Sequence, residues 1–290
     1  MANLRDIRRR IKSISSTAQI TRAMQMVAAS KMRKAQNATL MTRPFAQLLY
    51  RIQRHATAQS FEFVHPLLQV REVRKRAVIL VATDRGLSGA LNTNVFRVAA
   101  QFDPATTLFI AAGKRAAQFI ARTQRQLVAE YAFTDSPKFA EARPIASFAR
   151  DLFLKGEVDE VKVVATQFIT TLSQQAITVN FLPIGEIKGL RIPGAESEEA
   201  LASGTSEYLF APSPEVVLSF LLGHYLNIFI YRVLLEAKAS EQSARMVAMK
   251  NATDSASDLI TALTLEYNKL RQGNITKELL EIAGGQLGNQ

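Results

Sequence analysis

The residues best placed to do chemistry follow an apolar run. Ala77 to Ala82 (AVILVA) leads into Asp84-Arg85-Gly86-Leu87-Ser88-Gly89, a strand-then-glycine order that suits a phosphate-cradling turn. A dinucleotide-binding turn needs three glycines spaced G-x-G-x-x-G, so that backbone can approach a pyrophosphate. Only Gly86 and Gly89 stand in this loop, and no G-x-x-x-x-G-K-[ST] phosphate loop occurs in the 290 residues. A nucleotide-binding enzyme of Rossmann type is therefore the weakest functional reading. The structural alternative is a tight turn made by the glycines, with Asp84 accepting from backbone N–H groups.

Other constellations are poorer. The acid pairs Asp159-Glu160 and Glu198-Glu199 sit in polar links and their adjacent side chains point apart, so they read as solvated charge. His55, His65 and His224 form no ligand-spaced pair, and His224 reads as a packed or capping residue on an apolar helix. The absence of Cys excludes disulfides, thiol catalysis and Cys-ligated metal. No residue stands out as catalytic, cofactor-binding or metal-ligating.

Charge is the stronger signal. The chain carries 36 Lys+Arg against 25 Asp+Glu, a formal +11. Residues 1–54 hold twelve basic residues and one acid, Asp6, so the whole excess lies there. Arg8-Arg9-Arg10 with Lys12, and Lys31, Arg33 and Lys34 further on, need an anionic partner. One candidate class is a basic coiled-coil nucleic-acid-binding protein. Against it, the segment lacks aromatics for base stacking before Phe45 and has no helix-turn-helix or zinc motif. An acidic protein surface fits equally well.

The elements that must position these residues follow from the helix breakers. Seven of the nine Pro lie between 75 and 214, whereas residues 215–272 contain one Gly and no Pro. Leu4, Ile7, Ile11, Ile14 and Ala18 step at helical spacing, continued by Ala28, Met32 and Ala35. A second frame runs from Leu221 to Asn274 through Tyr225, Ile228, Leu235, Ala239, Met246, Met249, Ala256, Ile260, Leu263, Tyr267 and Leu270. A repeat of about 3.5 residues sustained this long predicts a coiled coil. The middle alternates strands and helices: strands near 77–82, 107–111, 126–133, 161–170 and 176–184, helices near 90–102, 114–123 and 145–154. The fold class expected is therefore α/β with long helices, an antiparallel coiled coil of the two terminal helices plus a central Rossmann-like α/β domain. Its parts are an N-terminal helix over 1–58, the α/β domain over 75–210 and a C-terminal helix over 212–286, with a mobile loop over 186–207.

Length adds an inference about surroundings. A helix from Pro214 to Ile282 is about 105 Å long at 1.5 Å per residue. A domain of about 140 residues is only about 37 Å across. Met24 to Ala29 (MQMVAA) is small or apolar nearly all round, and the longer second helix ends in Leu279, Leu280 and Ile282. Such surfaces are normally enclosed. The stalk is expected to sit in a sheath of other subunits.

ITRAMQMVAASKMRKAQ (20–36), SEQSARMVAMKNATDSASDLI (240–260) and LEYNKLRQGNITKELLEI (265–282) resemble the terminal signatures of gamma subunits of bacterial F-type ATP synthase, and DRGLSGALN (84–92) resembles that family's central loop. The resemblance implies a non-catalytic rotor shaft that carries ion-driven rotation to the nucleotide sites. The partners it implies are three alpha and three beta subunits, an epsilon subunit and a c-ring. It implies no cofactor, no nucleic acid and no direct membrane insertion. It places Met24 and Arg245 where the two helices face beta and each other. Lys31, Arg33 and Lys34 fall where the shaft faces acidic beta loops. Gln272, Thr276 and Glu278 fall where the shaft engages the beta catch region, while Gly273 and Asn274 depart from the pattern. The absence of a signal or transit segment, and of the chloroplast form's cysteine pair, points to a peripheral protein on the cytoplasmic face of a bacterial cell membrane.

Overall fold

The computed structural model describes residues 4–59, 65–184 and 213–287. Two compact units divide the chain. One comprises residues 1–28 and 245–290, the other residues 29–244.

The larger unit holds a five-stranded sheet with helices on both faces. Its strands are β1 (Arg76–Val81), β2 (Thr107–Ala112), β3 (Gln126–Tyr131), β4 (Glu160–Phe168) and β5 (Gln174–Leu182). They lie in the order β3-β2-β1-β4-β5. β1 is central and pairs in parallel with β2 and β4, while β4 and β5 form an antiparallel hairpin. An apolar run without alternation is what a strand covered on both sides requires. β1 shows how this works: Ala77, Ile79 and Val81 enter one core, and Val78 and Leu80 the other.

Three shorter helices lie on the sheet: α2 (Leu91–Ala99), α3 (Lys114–Arg122) and α4 (Phe139–Leu154). α2 and α3 supply Val95, Ala99, Ala116 and Ile120 to the smaller core, and Phe96 stacks on Phe119 with ring centroids 4.4 Å apart. α4 starts six residues before the expected Ile145 and carries Pro144 within it. Its start is fixed by a capping bond: Glu141 accepts from the Lys138 backbone N–H at 2.7 Å, and Glu141 also reaches Thr134.

The long helices are α1 (Leu4–Gln59) and α5 (Pro214–Leu287). Both contribute to both units. The stripe expected along the second helix is buried in its first half too, at Ile228, Leu235 and Ala239, but it is only part of what is buried there. Within the larger unit Leu222, Leu226, Phe229, Ile230, Leu234 and Ala237 of α5 belong to the same core as α4 and the sheet. None of the six lies on the frame of 3.5-residue steps. This half of α5 is a domain helix buried on more than one face, so its apolar residues exceed what a seam demands. That also accounts for its membrane-like composition. By length and composition Ser219–Lys277 is apolar enough to cross a bilayer, yet 44% of its most apolar window is buried inside the protein.

In the smaller unit the frame holds. Met249 and Ala256 are buried, and Met246, Thr253, Ile260, Leu263 and Tyr267 are half-buried. Opposite them Ile7, Thr21 and Ala28 of α1 are buried. The hydroxyls of Thr21 and Thr253 hydrogen-bond at 2.7 Å. An antiparallel register through that pair sets Leu4 against Leu270. It explains why every described side chain from Lys269 to Leu280 is exposed.

Candidate functional site

The loop after β1 is built for structure. Asp84 accepts from the backbone N–H of Lys114 at 2.9 Å, so its carboxylate occupies the N-terminus of α3. That is where a phosphate would otherwise gain most from the helix. Thr83 and Asn92 bond each other twice, Asn92 receiving the Thr83 backbone N–H and donating its amide to the Thr83 hydroxyl at 2.7 Å. Gly89 takes the left-handed conformation at φ +59°, as does Leu87 at φ +65°, whereas Gly86 does not. The turn therefore rests on Gly89 and on a strained, exposed leucine. Gly113 holds the loop from the other side. At φ +98° a Cβ there would stand 2.2 Å from the Ala82 carbonyl oxygen.

The acid pair Asp159-Glu160 is not merely solvated. Asp159 accepts the backbone N–H groups of Arg74 and Lys75, both at 2.9 Å, which hold its carboxyl below the usual range. Glu160 pairs with Arg76 and Lys162 at 3.6 and 3.2 Å. Together they fix the start of β1 against β4. His224 packs between the rings of Phe139 and Phe220, with centroids 5.7 and 6.3 Å away. His65 accepts from the Leu67 N–H and opens a short 3-10 turn. His55 has no described side chain, and Glu198-Glu199 lie outside the described residues.

A network that sequence reading missed lies within the larger unit. Asp135, in the loop between β3 and α4, meets lysines from two helices. Its Oδ2 accepts from Lys31 Nζ of α1 at 2.6 Å, and its Oδ1 lies 3.5 Å from Lys238 Nζ of α5. The Lys238 side chain is 2% exposed, and its ammonium also meets Glu241 at 3.0 Å and the face of Phe133 at 4.9 Å. A buried ammonium needs that many partners to offset its lost hydration. The Lys31 contact, chiefly, holds the Asp135 carboxyl below its ordinary range, with both lysines' charges adding to it. One turn along α5, the Ser243 hydroxyl donates to the Thr171 carbonyl at 2.7 Å, and Gln174 bonds both Ser243 and the Thr170–Thr171 turn. Residues 237–243 of α5 are buried on every side. The signal in the sequence was the charged pair Lys238 and Glu241 inside an otherwise small-residue stretch, at the spacing of three that lets them meet.

The sequence-selected residues divide between the units. Met24 and Arg245 are both half-buried in the smaller unit. Gln272 and Thr276 are exposed there on successive turns of α5, the Thr276 hydroxyl bonding the Gln272 carbonyl at 2.9 Å. Glu278 lies on the same helix, its side chain outside the described ones. Lys31, Arg33 and Lys34 belong to the larger unit. Arg33 and Lys34 are exposed, while the charge of Lys31 is engaged by Asp135.

The smaller unit buries little for its length. Among its described residues only Ile7, Thr21, Ala28, Met249 and Ala256 are buried, three of them small. Ile20, Met26, Val27, Leu259, Leu265, Ile275, Leu279 and Leu280 are exposed. Ordering a residue costs about 1–2 kcal/mol in backbone entropy, against about 0.8 kcal/mol per buried CH₂. Such a unit needs cover from outside the chain.

Comparison with known proteins agrees with the geometry. A family model described as ATP synthase matches residues 3–287. The ATP synthase gamma chain of Opitutus terrae is 44% identical, over 99% of this chain and 98% of its own length. That of Methylacidiphilum infernorum is 40% identical over 99% of each. Among solved structures, a chain of the Euglena gracilis mitochondrial ATP synthase rotor has a TM-score of 0.65 at 20% identity, covering 94% of this chain and 98% of that one. A chain of the OSCP/F1/c-ring structure from the same enzyme has a TM-score of 0.68 at 18% identity, covering 98% and 94%. These likenesses carry the fold. The family match and the curated relatives carry more: the chain belongs to the ATP synthase gamma chain family.

Proposed function

We infer that this chain is the central rotor subunit of an F-type ATP synthase, carrying no catalytic site of its own. The smaller unit turns inside a ring of three alpha and three beta subunits, and the α/β domain engages the c-ring and the epsilon subunit. Ion flow through the membrane sector turns the c-ring and this chain with it. Each orientation presents a different face to each beta subunit and so biases its nucleotide affinity. ATP hydrolysis drives the same cycle backwards.

The observation that carries this reading is the bare, apolar end of α5, with Ile275, Leu279 and Leu280 exposed on a two-helix unit too thin to stand alone. A surrounding sleeve of subunits supplies the missing cover while leaving the helices free to rotate. Met24 and Arg245 face that sleeve and each other's helices. Gln272, Thr276 and Glu278 engage beta near the end of the shaft. Arg33 and Lys34 face acidic loops of beta, and Lys31 is shared between such a loop and Asp135. The basic excess of residues 1–54 then serves protein surfaces rather than nucleic acid. This chain is peripheral on the cytoplasmic face of a bacterial membrane, with ion transport in the membrane sector.

Co-expression with alpha and beta tests the reading. The chain alone should hydrolyse no ATP, and the three together should give a stable ATPase that drives ion transport once joined to the membrane sector. A complex that assembles and couples equally well without the chain would overturn it.

A further inference from the structure

We propose that Asp135 is a torque-transmitting contact between the α/β domain and the two long helices, acting through Lys31 and Lys238. The proposal rests on the rotor reading and deepens it by naming where rotation passes through this chain. Any torque applied to the α/β domain has to reach α5 inside the larger unit, because α5 leaves that unit at Ala244. Polar contacts tie α5 to loops of the domain in its last turns there. Asp135 holds Lys238, and the β4–β5 turn holds Ser243 through Thr171. Asp135 has a contact to each helix, Lys31 of α1 at 2.6 Å and Lys238 of α5 at 3.5 Å.

The chemistry suits load rather than stability. Core packing already ties α5 to the sheet, and a charge-assisted hydrogen bond adds resistance to displacement along its own direction. A buried ammonium is a poor way to stabilise a fold, since well-packed apolar groups of similar volume do as well or better. Lys238 is held by an acid three residues along its own helix, by an acid from a loop and by an aromatic face. Three partners in three directions fix its azimuth. Fixing two helices to one loop by a single carboxylate also keeps α1 and α5 from turning separately.

Asp135→Asn and Asp135→Ala test this in the complete membrane-bound complex, with Asp135→Glu as the conservative variant. Removal of the acid costs stability but leaves Lys238 its Glu241 and Phe133 contacts and Lys31 half-exposed, so assembly should persist. ATP hydrolysis should stay near wild type, while ions transported per ATP hydrolysed fall by about twofold or more, the low end of what one link in a coupling network controls. Asp135→Glu should restore part of the ratio. An unchanged ratio in both Asn and Ala variants would overturn the proposal. So would failure of both to assemble alongside a wild-type chain that does, since the network would then serve folding alone. A wild-type chain that forms no coupled complex would instead contradict the rotor reading.

Discussion

Thr21 and Thr253 stand 232 positions apart in the chain and share a hydrogen bond of 2.7 Å between their hydroxyls. Each hydroxyl also lies within hydrogen-bond distance of a carbonyl of its own helix, Thr21 of Ala18 at 3.1 Å and Thr253 of Met249 at 2.8 Å, so one hydroxyl donates across the pair and the other to its own helix. The pair marks the register of the two helices where the seam is made of small residues. It is a polar lock in a place where apolar contact is too thin to specify alignment.

Replacing either threonine by valine leaves one hydroxyl without its cross-helix partner. Each single change should cost about 1 kcal/mol. The double change should cost less than the two together by about 0.5 kcal/mol or more, because it removes both polar groups at once. Urea denaturation of the full chain measures this. Strict additivity would show that the two hydroxyls are not coupled.

Gly113 and Gly86 flank one loop and should behave oppositely. A Cβ at Gly113 would lie 2.2 Å from the Ala82 carbonyl oxygen at a φ of +98°, whereas at Gly86 it would meet only the end of the Arg115 side chain at 3.7 Å. Gly113→Ala should destabilise by roughly 2–4 kcal/mol, combining backbone strain with displacement of the end of β1. Gly86→Ala should stay within about 0.5 kcal/mol of wild type. Thermal melts of the two variants separate these outcomes.

Asp159 gives the acid response a defined sign. Backbone N–H groups of Lys75 and Arg74 lower its value in the folded chain from the ordinary 3.8. A carboxyl with a lowered folded value contributes stability that is present above 3.8 and is lost as the pH falls through the lower folded value. Asp135 acts in the same direction, mainly through Lys31. Asp159→Asn should therefore lower stability at neutral pH and flatten its decline below pH 3.8. Denaturation midpoints recorded across that range would show parallel curves if the bonds to Arg74 and Lys75 were inconsequential.

Met24→Lys should act on coupling more than on assembly. Met24 is half-buried, and the neighbouring Met26 and Val27 are exposed on a face that the rotor reading encloses in other subunits. A lysine there places charge in a crowded bearing, where desolvation or a new ion pair alters the freedom to turn. Ions pumped per ATP hydrolysed should drop, with the complex still recovered in normal yield. An equal ratio in mutant and wild type would contradict this.

Much of the fold was legible because its signals are local. β1 announced itself as a continuous apolar run, and it is the central strand with residues alternating between two cores. The 3.5-residue frame located the seam in residues 246–267 of α5. From Leu222 to Ala237 it captured only part of the buried surface, Ile228 and Leu235 being buried on the frame and Leu226 and Ile230 off it, because a helix facing a sheet as well as another helix needs apolar residues on several faces. Asp84 was correctly read as a backbone acceptor, since a short acid in a strand-to-helix turn has few other uses. Gly86 lies in the bend without a positive φ, which Leu87 takes instead, a tertiary constraint that no local propensity reveals.

The contact set around Asp135 was invisible for a different reason. Lys238 and Glu241 are charged, and charge in a helix normally signals a solvated face. Their burial depends on Asp135 and Phe133 arriving from a loop roughly a hundred residues earlier in the chain. Long-range pairing of this kind leaves no periodic trace. Lys31 was selected for its charge, and that charge meets Asp135 within the chain.

Rotation of this subunit within the complex can be observed directly. The chain has no cysteine, so one introduced on the exposed surface of α3 would give a single attachment point on this subunit for a bead or fluorophore. With beta fixed to a surface and ATP supplied, the probe should rotate stepwise in one direction and stop when ATP is withdrawn. Sustained ATP hydrolysis by the same complexes with the probe stationary would contradict the rotor reading.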